Sequence, residues 1–216
     1  MNSELEVLRD VVARLEGAGI AYMLTGSVAM SVYAEPRMTR DIDIVVELVA
    51  DDARRVVELF SPEYYVSDEA VRTAIAARSL FNLFNLAHLV KVDLIVRNDD
   101  EFQRHEFARR RRHELDESSA WVINKEDLIL SKLVWAAPTG SAMRDTSTEF
   151  QRFVDEQYRR LTPGERVRLC TEMFDAARSL VESSLPRELC GFERKRRITE
   201  RFYGPEFANR VFPVGP

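Results

Sequence analysis

The sequence predicts an α+β protein, in which a mixed β-sheet core is flanked by helices and followed by a C-terminal helical extension. Over the first two-thirds of the chain, short apolar runs with strand character alternate with amphipathic segments of helical spacing. The last third carries only helical patterns, and these follow a turn-forming segment at residues 138–141. This order of elements indicates one mixed core and a smaller appended unit.

The predicted strands differ in how strongly the sequence marks them. Asp41–Val46 alternates polar and apolar residues before it becomes wholly apolar, as a strand does when it runs from an exposed end into a core. Two apolar runs separated by Ala87 and His88 predict a hairpin. The full set of predicted strands is 20–24, 41–46, 80–86 and 89–96, with weaker candidates at 107–115 and 120–123.

The helices are predicted from capping residues and apolar spacing. Thr162 and Glu165 form a capping box with Pro163 at the first helical position, which strongly predicts a helix. Gly204 and Pro205 are expected to end the final helix. The predicted helices are 3–16, 28–33, 51–60, 67–77, 125–136, one that starts at 163, and 192–203. We place a boundary near residue 146, between domains 1–146 and 147–216.

Composition and charge exclude several classes of protein. Of the 216 residues, 45% are hydrophobic and 31% are charged, which is globular composition, and the formal charge of −5 argues against a protein that coats nucleic acid nonspecifically. The two cysteines, Cys170 and Cys190, give little support to a disulfide framework or a zinc site. With no signal-peptide pattern and no apolar run near the ~20 residues that span a bilayer, we expect a cytoplasmic protein with no membrane partner.

Asp41 and Asp43 are the first candidates for chemistry. Residues two apart on a strand leave the same face, with about 7 Å between their Cα atoms. Carboxylates so placed can share hard cations such as Mg²⁺, and two such ions about 3.5–4 Å apart suit phosphoryl transfer. Taken alone, the pair is more typical of a solvated strand end.

The turn at Thr25, Gly26 and Ser27 adds a second feature. Glycine lets the backbone approach a phosphate closely, while the Ser27 hydroxyl and the start of the following helix supply hydrogen-bond donors. The alternative is an ordinary strand-to-helix turn in which Ser27 is the N-cap. A phosphate-binding turn upstream of paired aspartates predicts a site for a metal-bound phosphate.

The joint pattern of an apolar strand, Gly26-Ser27, thirteen residues and then Asp41-Ile-Asp-Ile resembles the DNA polymerase beta-like nucleotidyltransferase superfamily. The resemblance implies a third carboxylate on a later strand, and Asp93 in Lys-Val-Asp-Leu-Ile-Val matches it. Asp93 also interrupts an apolar strand, where an unpaired carboxylate is costly to bury. A salt bridge to Lys91 or to an arginine is the alternative explanation.

Residues 5–136 resemble more narrowly the small bacterial nucleotidyltransferases of toxin–antitoxin systems, the AbiEii and MenT types. Arg40, the Phe-Asn-Leu at 81–83 and the Glu-Asp-Leu-Ile-Leu-Ser-Lys-Leu at 126–133 carry this resemblance. It implies that Lys132 binds the triphosphate and that Arg40 offsets developing charge. A lysine whose stem lies on an apolar helix face is the alternative for Lys132.

Three hypotheses on function follow from the residues and the resemblance. In the first, Asp41, Asp43 and Asp93 hold two Mg²⁺ ions and the enzyme transfers NMP from an NTP such as ATP to a hydroxyl, which the toxin resemblance places at the 3′ end of tRNA. The second has an aminoglycoside-type small molecule as the acceptor, and the third has an inactive binding or regulatory module. Residues 147–216 depart from the usual helical half and loosely resemble a fused partner or antitoxin-like module.

The basic run at residues 109–112, with Arg104 nearby, has two interpretations. It could bind a polynucleotide backbone, or it could be a charged edge strand that is protected from pairing with other chains. We favour the edge strand.

Overall fold

The fold centres on one seven-stranded sheet of order β3-β4-β5-β2-β1-β7-β6. The computed structural model describes residues 3–39, 41–136, 156 and 158–213. The strands are β1 Tyr22–Thr25, β2 Asp41–Val46, β3 Tyr64–Tyr65, β4 Leu80–Asn85, β5 Val90–Val96, β6 Arg111–Leu115 and β7 Ser118–Val122.

The sheet is mixed, which confirms the predicted α+β class. β2 pairs with β5 in parallel and with β1 in antiparallel, and β4 and β5 form the predicted antiparallel hairpin. β7 joins β1 in parallel, so β6 and β3 lie at the two edges. The central strands β2 and β5 therefore place their side chains side by side over the full length of Asp41–Val46.

Nine helices accompany the sheet in the described part of the chain. They are α1 Ser3–Gly17, α2 Gly26–Tyr33, α3 Asp52–Phe60, α4 Asp68–Ala77, α5 Glu101–Ala108, α6 Lys125–Ala136, α7 Pro163–Ser183, α8 Gly191–Tyr203 and α9 Pro205–Val211. Among these described helices none combines the length and the apolar character that crossing a membrane requires.

One predicted element needs correction, and the end of the chain holds a helix that was not predicted. The weak strand at residues 107–115 is wrong in its first part, because Glu101–Ala108 is a helix whose N-cap, Asp100, accepts a hydrogen bond from the Gln103 backbone N–H at 2.9 Å. The helix predicted at 192–203 ends at Tyr203, as expected, and a further helix follows it. Gly204 has a φ of +87°, which breaks α8, and Pro205 then begins the short helix α9.

The C-terminal helices pack against the sheet domain at two places. α7, with the predicted capping box of Thr162 and Glu165, buries Val167 and Phe174 in the main core. α8 and α9 pack on the β4–β5 hairpin in a second apolar cluster, whose buried residues are Phe84, Leu89, Ile198, Phe207, Val211 and Phe212. The predicted turn at 138–141 and the boundary at 146 lie outside the described residues.

The arginines of the run at 109–112 make internal contacts. Arg109 forms a two-bond ion pair with Asp127, at 2.6 and 3.0 Å. Arg110 stacks over Phe107, and Arg112 donates to the Ser119 hydroxyl. With Arg111–Leu115 at the sheet edge, the structure supports the edge-strand interpretation.

Cys170 and Cys190 form no disulfide in the described structure, and Cys190 is exposed. Cys170 is buried on α7, and its Sγ donates to the Arg37 carbonyl at 2.8 Å.

Candidate active site

Four charged side chains form a square on one face of the sheet. On β2, Asp41 and Asp43 lie two residues apart, and in the parallel register with β5 they stand beside Lys91 and Asp93 respectively. Strand alternation turns the intervening Ile42 and Val92 to the opposite, fully buried face. The sheet itself thus brings together three carboxylates and one ammonium group.

Asp93 is held by two neighbours. Asn82 on β4 stands opposite it and donates from Nδ2 to Asp93 Oδ1 at 2.7 Å. Lys91 donates from Nζ to Asp93 Oδ2 at 3.0 Å, and the same Nζ lies 3.4 Å from Asp41 Oδ2. The salt bridge that was the alternative explanation for Asp93 is therefore present, and Lys91 bridges two of the three aspartates.

Gly26 lies directly against the Asp43 carboxylate. Its φ is +68°, a left-handed conformation that favours glycine, and a Cβ at this position would be 1.9 Å from Asp43 Oδ2. Antiparallel pairing of Thr25 with Asp43 fixes this approach. The glycine is thus required both by backbone conformation and by space.

Substituting Gly26 with alanine is expected to displace the Asp43 carboxylate and to weaken Mg²⁺-dependent nucleotide binding by about tenfold or more, since small misplacements in such sites are costly. The matched control is Gly17→Ala, because nothing lies within 4 Å of a Cβ there. Nucleotide titration of both variants measures the effect. Equal affinity of Gly26→Ala and the wild-type protein would contradict the close approach.

The structure contradicts one of the two interpretations of Ser27. The N-cap of α2 is Thr25, and Ser27 lies in the first helical turn, so the interpretation of Ser27 as N-cap is wrong. The helix begins earlier because Gly26 itself adopts the turn conformation at the strand end. Thr25 and Gly26 line the neighbouring cavity.

A cavity of about 330 Å³ opens beside Asp43 and Asp93, and we call it the Gly26 cavity. Its walls combine the β1–α2 turn, the two carboxylates, an apolar patch and one face of α6. The lining residues are Thr25, Gly26, Asp43, Leu80, Asp93, Ile95, Leu128, Ser131 and Lys132. A site with apolar walls and a few convergent polar groups is typical of small-molecule binding.

Lys132 reaches the Gly26 cavity because α6 is anchored to α5. The buried Asp127 pairs with Arg109, and Ser131 donates to Glu106 Oε1 at 2.8 Å. These two contacts fix the rotation of the first turns of α6, so exposed Lys132 lies on the cavity side.

On the other side of the carboxylates lies a second cavity, of about 410 Å³, which we call the tail cavity. Asp41 and Lys91 form its floor, and the C-terminal helices α8 and α9 supply the rest of its wall. The lining residues are Asp41, Lys91, Glu200, Arg201, Phe202, Tyr203, Gly204 and Phe207. The carboxylates thus separate two cavities, one of which exists only because the C-terminal helices pack on the hairpin.

The electrostatics of the square are dominated by crowded negative charge. Burial first, and then the charges of Asp93 and Asp41, raise the pKa of Asp43 to about 6, while Lys132 and Lys91 act in the opposite direction. Burial alone would lower the pKa of Lys91, but Asp93 and Asp41 outweigh it and raise that pKa. The raised pKa of Asp43 thus reflects the crowding of three carboxylates on one sheet face, which Lys91 and Lys132 offset only in part.

The donor set fits a hard divalent cation, because it consists of carboxylate oxygens on one sheet face. In the arrangement seen here, no three His, Cys, Asp or Glu side chains of the described residues form a metal-binding group. Lys91 lies between Asp41 and Asp93 and contacts a carboxylate oxygen of each.

One buried carboxylate behind the square was not predicted. Glu4 on α1 has no exposed surface, and neither of its oxygens has a hydrogen-bond partner among the described residues. Burial, followed by the charges of Asp175 and Asp41, raises the pKa of Glu4 to about 9, with Arg178 acting in the opposite direction. Burial therefore favours the neutral form of the Glu4 carboxyl group.

The structure brings together Gly26, Asp43, Asp93 and Lys132 around one cavity and places Asp41 at the second. Arg40 lies outside the described residues. Sequence reasoning missed the contribution of Asn82, although its position opposite Asp93 follows once the hairpin register is known. The tail residues gave no local signal, because their position depends on tertiary packing.

Comparison with known proteins gives several distant structural likenesses. No family model and no curated protein matches the sequence. A lincomycin-bound lincosamide antibiotic adenylyltransferase, LnuA, is similar with a TM-score of 0.43 and 17% identity, over 75% of this chain and 98% of that one. The antibiotic-resistance factor ANT(2'')-Ia is similar with a TM-score of 0.43 and 14% identity, over 85% of this chain and 97% of that one.

Proposed function

We propose that this protein is a nucleotidyltransferase that moves NMP from an NTP to a hydroxyl acceptor. One observation carries the proposal. The carboxylates of Asp43 and Asp93 face a glycine turn and a lysine across a single cavity, while Asp41 beside them faces a second cavity. Such a site can bind a metal-bound triphosphate on one side and an acceptor on the other.

The triphosphate belongs in the Gly26 cavity. The backbone N–H groups at the start of α2 and the space above Gly26 receive the terminal phosphates, and Lys132 neutralises their charge. Asp41, Asp43 and Asp93 would hold two Mg²⁺ ions, which supply Lewis-acid activation of the α-phosphorus when bound. Arg40 is proposed to offset charge, as the resemblance implies.

In the reaction, the acceptor oxygen forms a bond to the α-phosphorus in line with the bond that breaks, and pyrophosphate leaves. Asp93 is proposed to help receive the hydroxyl proton. Asn82 holds Asp93 Oδ1 at 2.7 Å, which fixes the orientation of the carboxylate before substrate arrives. This preorganisation lowers the cost of assembling the transition state.

The acceptor is proposed to be a small hydroxyl-bearing molecule that binds in the tail cavity. The volume of about 410 Å³ lies in the range of small-molecule sites, and three aromatic side chains with Glu200 and Arg201 supply apolar and charged contacts. The tRNA 3′ end is the rival acceptor, and an antitoxin-like role for residues 147–216 belongs to that rival. The described tail forms a cavity wall, which favours a direct role in the site.

An acceptor screen tests the proposal. The protein is incubated with Mg²⁺ and each labelled NTP, and with total tRNA, with protein fractions or with a small-molecule hydroxyl panel, and products are identified by mass spectrometry. A nucleotidylated small molecule is the expected result. If only tRNA is labelled, the acceptor is tRNA and nucleotidyl transfer still holds. If no product is labelled with any NTP, nucleotidyl transfer is refuted.

Replacing Lys132 with methionine is expected to weaken triphosphate binding by about tenfold, since a charge-assisted phosphate contact is worth roughly 1.5–3 kcal/mol. Methionine keeps the length and apolar stem of lysine, so α6 packing is retained. Lys125→Met on the same helix is the control, because Lys125 is exposed and does not line either cavity. Equal NTP affinity of the two variants would support the alternative in which Lys132 only extends to solvent.

A further inference from the structure

Lys91 contacts two of the proposed metal ligands, Asp41 and Asp93. Its Nζ lies 3.0 Å from Asp93 Oδ2 and 3.4 Å from Asp41 Oδ2. The Lys91 side chain is 18% exposed, compared with 14% for Asp93 and 31% for Asp41, so the three groups are largely shielded from solvent screening. A close ammonium in such a setting competes directly with any other cation.

The competition follows from the strand register. Lys91 stands beside Asp41 on the neighbouring strand and two residues from Asp93 on its own strand, so its side chain lies between the two carboxylates. Both contacts use Oδ2 of an aspartate, and Asn82 occupies the other oxygen of Asp93. A divalent cation that bridges Asp41 and Asp93 through their Oδ2 atoms therefore takes the position that Lys91 now occupies.

We propose that Lys91 is a built-in counterion that stabilises the metal-free carboxylates and is displaced into the tail cavity when the divalent cation binds. The tail cavity gives it a place to go, because Lys91 already lines that cavity beside Glu200. Lys91 thus sets the affinity for the metal and couples metal entry to the acceptor side. The inference rests on the metal-site part of the proposed function.

The first test compares Lys91→Met with the wild-type protein in calorimetric titrations with Mg²⁺ alone, without nucleotide. Removing the competing ammonium is expected to tighten Mg²⁺ binding by about fivefold to tenfold at low ionic strength. Lys91→Arg keeps the charge and is expected to stay near the wild-type affinity, and Lys125→Met is the control for losing a lysine. Equal or weaker binding by Lys91→Met would overturn the inference.

The second test uses the unaltered protein, so it does not depend on a variant that folds. The chain has four lysines, and reductive methylation followed by peptide mass spectrometry reports the accessibility of each amine. Lys91 is expected to be poorly labelled without Mg²⁺ and labelled several-fold faster with it, while Lys125 is unchanged. Labelling of Lys91 that does not respond to Mg²⁺ would refute the displacement.

Failure of the inference and failure of the proposed function give different results. If Lys91→Met binds Mg²⁺ more tightly but no nucleotidyl product is found, the counterion role of Lys91 is supported and the proposed transfer activity is refuted. If the protein transfers NMP but Lys91→Met has the same Mg²⁺ affinity as the wild-type protein, the transfer activity is supported and the counterion role is refuted.

Discussion

The Asp43→Asn variant is expected to lose nucleotidyl transfer by at least about a thousandfold, while it folds as well as the wild-type protein or better. Asparagine keeps the shape of the side chain against Gly26 but removes the charge that is proposed to bind Mg²⁺ and to stabilise the transition state. Because burial and the charges of Asp93 and Asp41 disfavour the charged form of Asp43, removing its charge also relieves repulsion in the metal-free protein.

Single-turnover kinetics with saturating NTP, together with thermal unfolding with and without Mg²⁺, would measure both halves of this prediction. The matched control is Asp99→Asn, whose side chain is 67% exposed and lies outside both cavities. If Asp43→Asn retained transfer, Asp43 would not be a metal ligand. If Asp41→Ala and Asp43→Ala left Mg²⁺-dependent nucleotide binding unchanged, the hypothesis of an inactive binding module would be favoured instead.

The sheet and its charged square were predictable because strand patterns are local. The alternation in Asp41–Val46 fixes which face each aspartate occupies, and the apolar run around Asp93 identifies its partner strand. Gly26 was predictable for the same reason, since a turn between a strand and a helix needs few residues. Its contact with Asp43 follows from β1 pairing with β2.

The features that sequence reasoning missed depend on contacts between distant segments. Nothing near Tyr203 indicates that it lies beside Lys91, because that contact depends on how α8 and α9 pack on Phe84 and its neighbours. The first half of the predicted strand at 107–115 failed for a different reason. Phe107 is buried on α5, and an apolar residue in a short segment does not distinguish a helix from a strand.

The Glu4→Gln variant is expected to have a free energy of unfolding about 2–4 kcal/mol higher than that of the wild-type protein above neutral pH. Glu4 lies among buried groups with no hydrogen-bond partner for its oxygens in the described structure, and its pKa is raised from 4.5 to about 9. A raised pKa in the folded state means that the folded protein binds a proton that the unfolded chain releases. The stability that this proton contributes is fully present below pH 4.5 and is lost as the pH rises through about 9.

Across that window, the unfolding free energy of the wild-type protein falls by up to about 1.4 kcal/mol per pH unit because of Glu4 alone. Glutamine cannot ionise, so the variant should lose most of this slope while it keeps the size of the side chain. Urea unfolding between pH 5 and pH 9 would measure this slope, with Glu69→Gln on the exposed face of α4 as the control.

Parallel pH profiles for Glu4→Gln and the wild-type protein would show that Glu4 has a hydrogen-bond or charge partner in solution. A flattened profile for Glu4→Gln would instead establish a neutral carboxylic acid behind Asp41, where an ionised Glu4 would add to the charge that opposes ionisation of the proposed metal ligands.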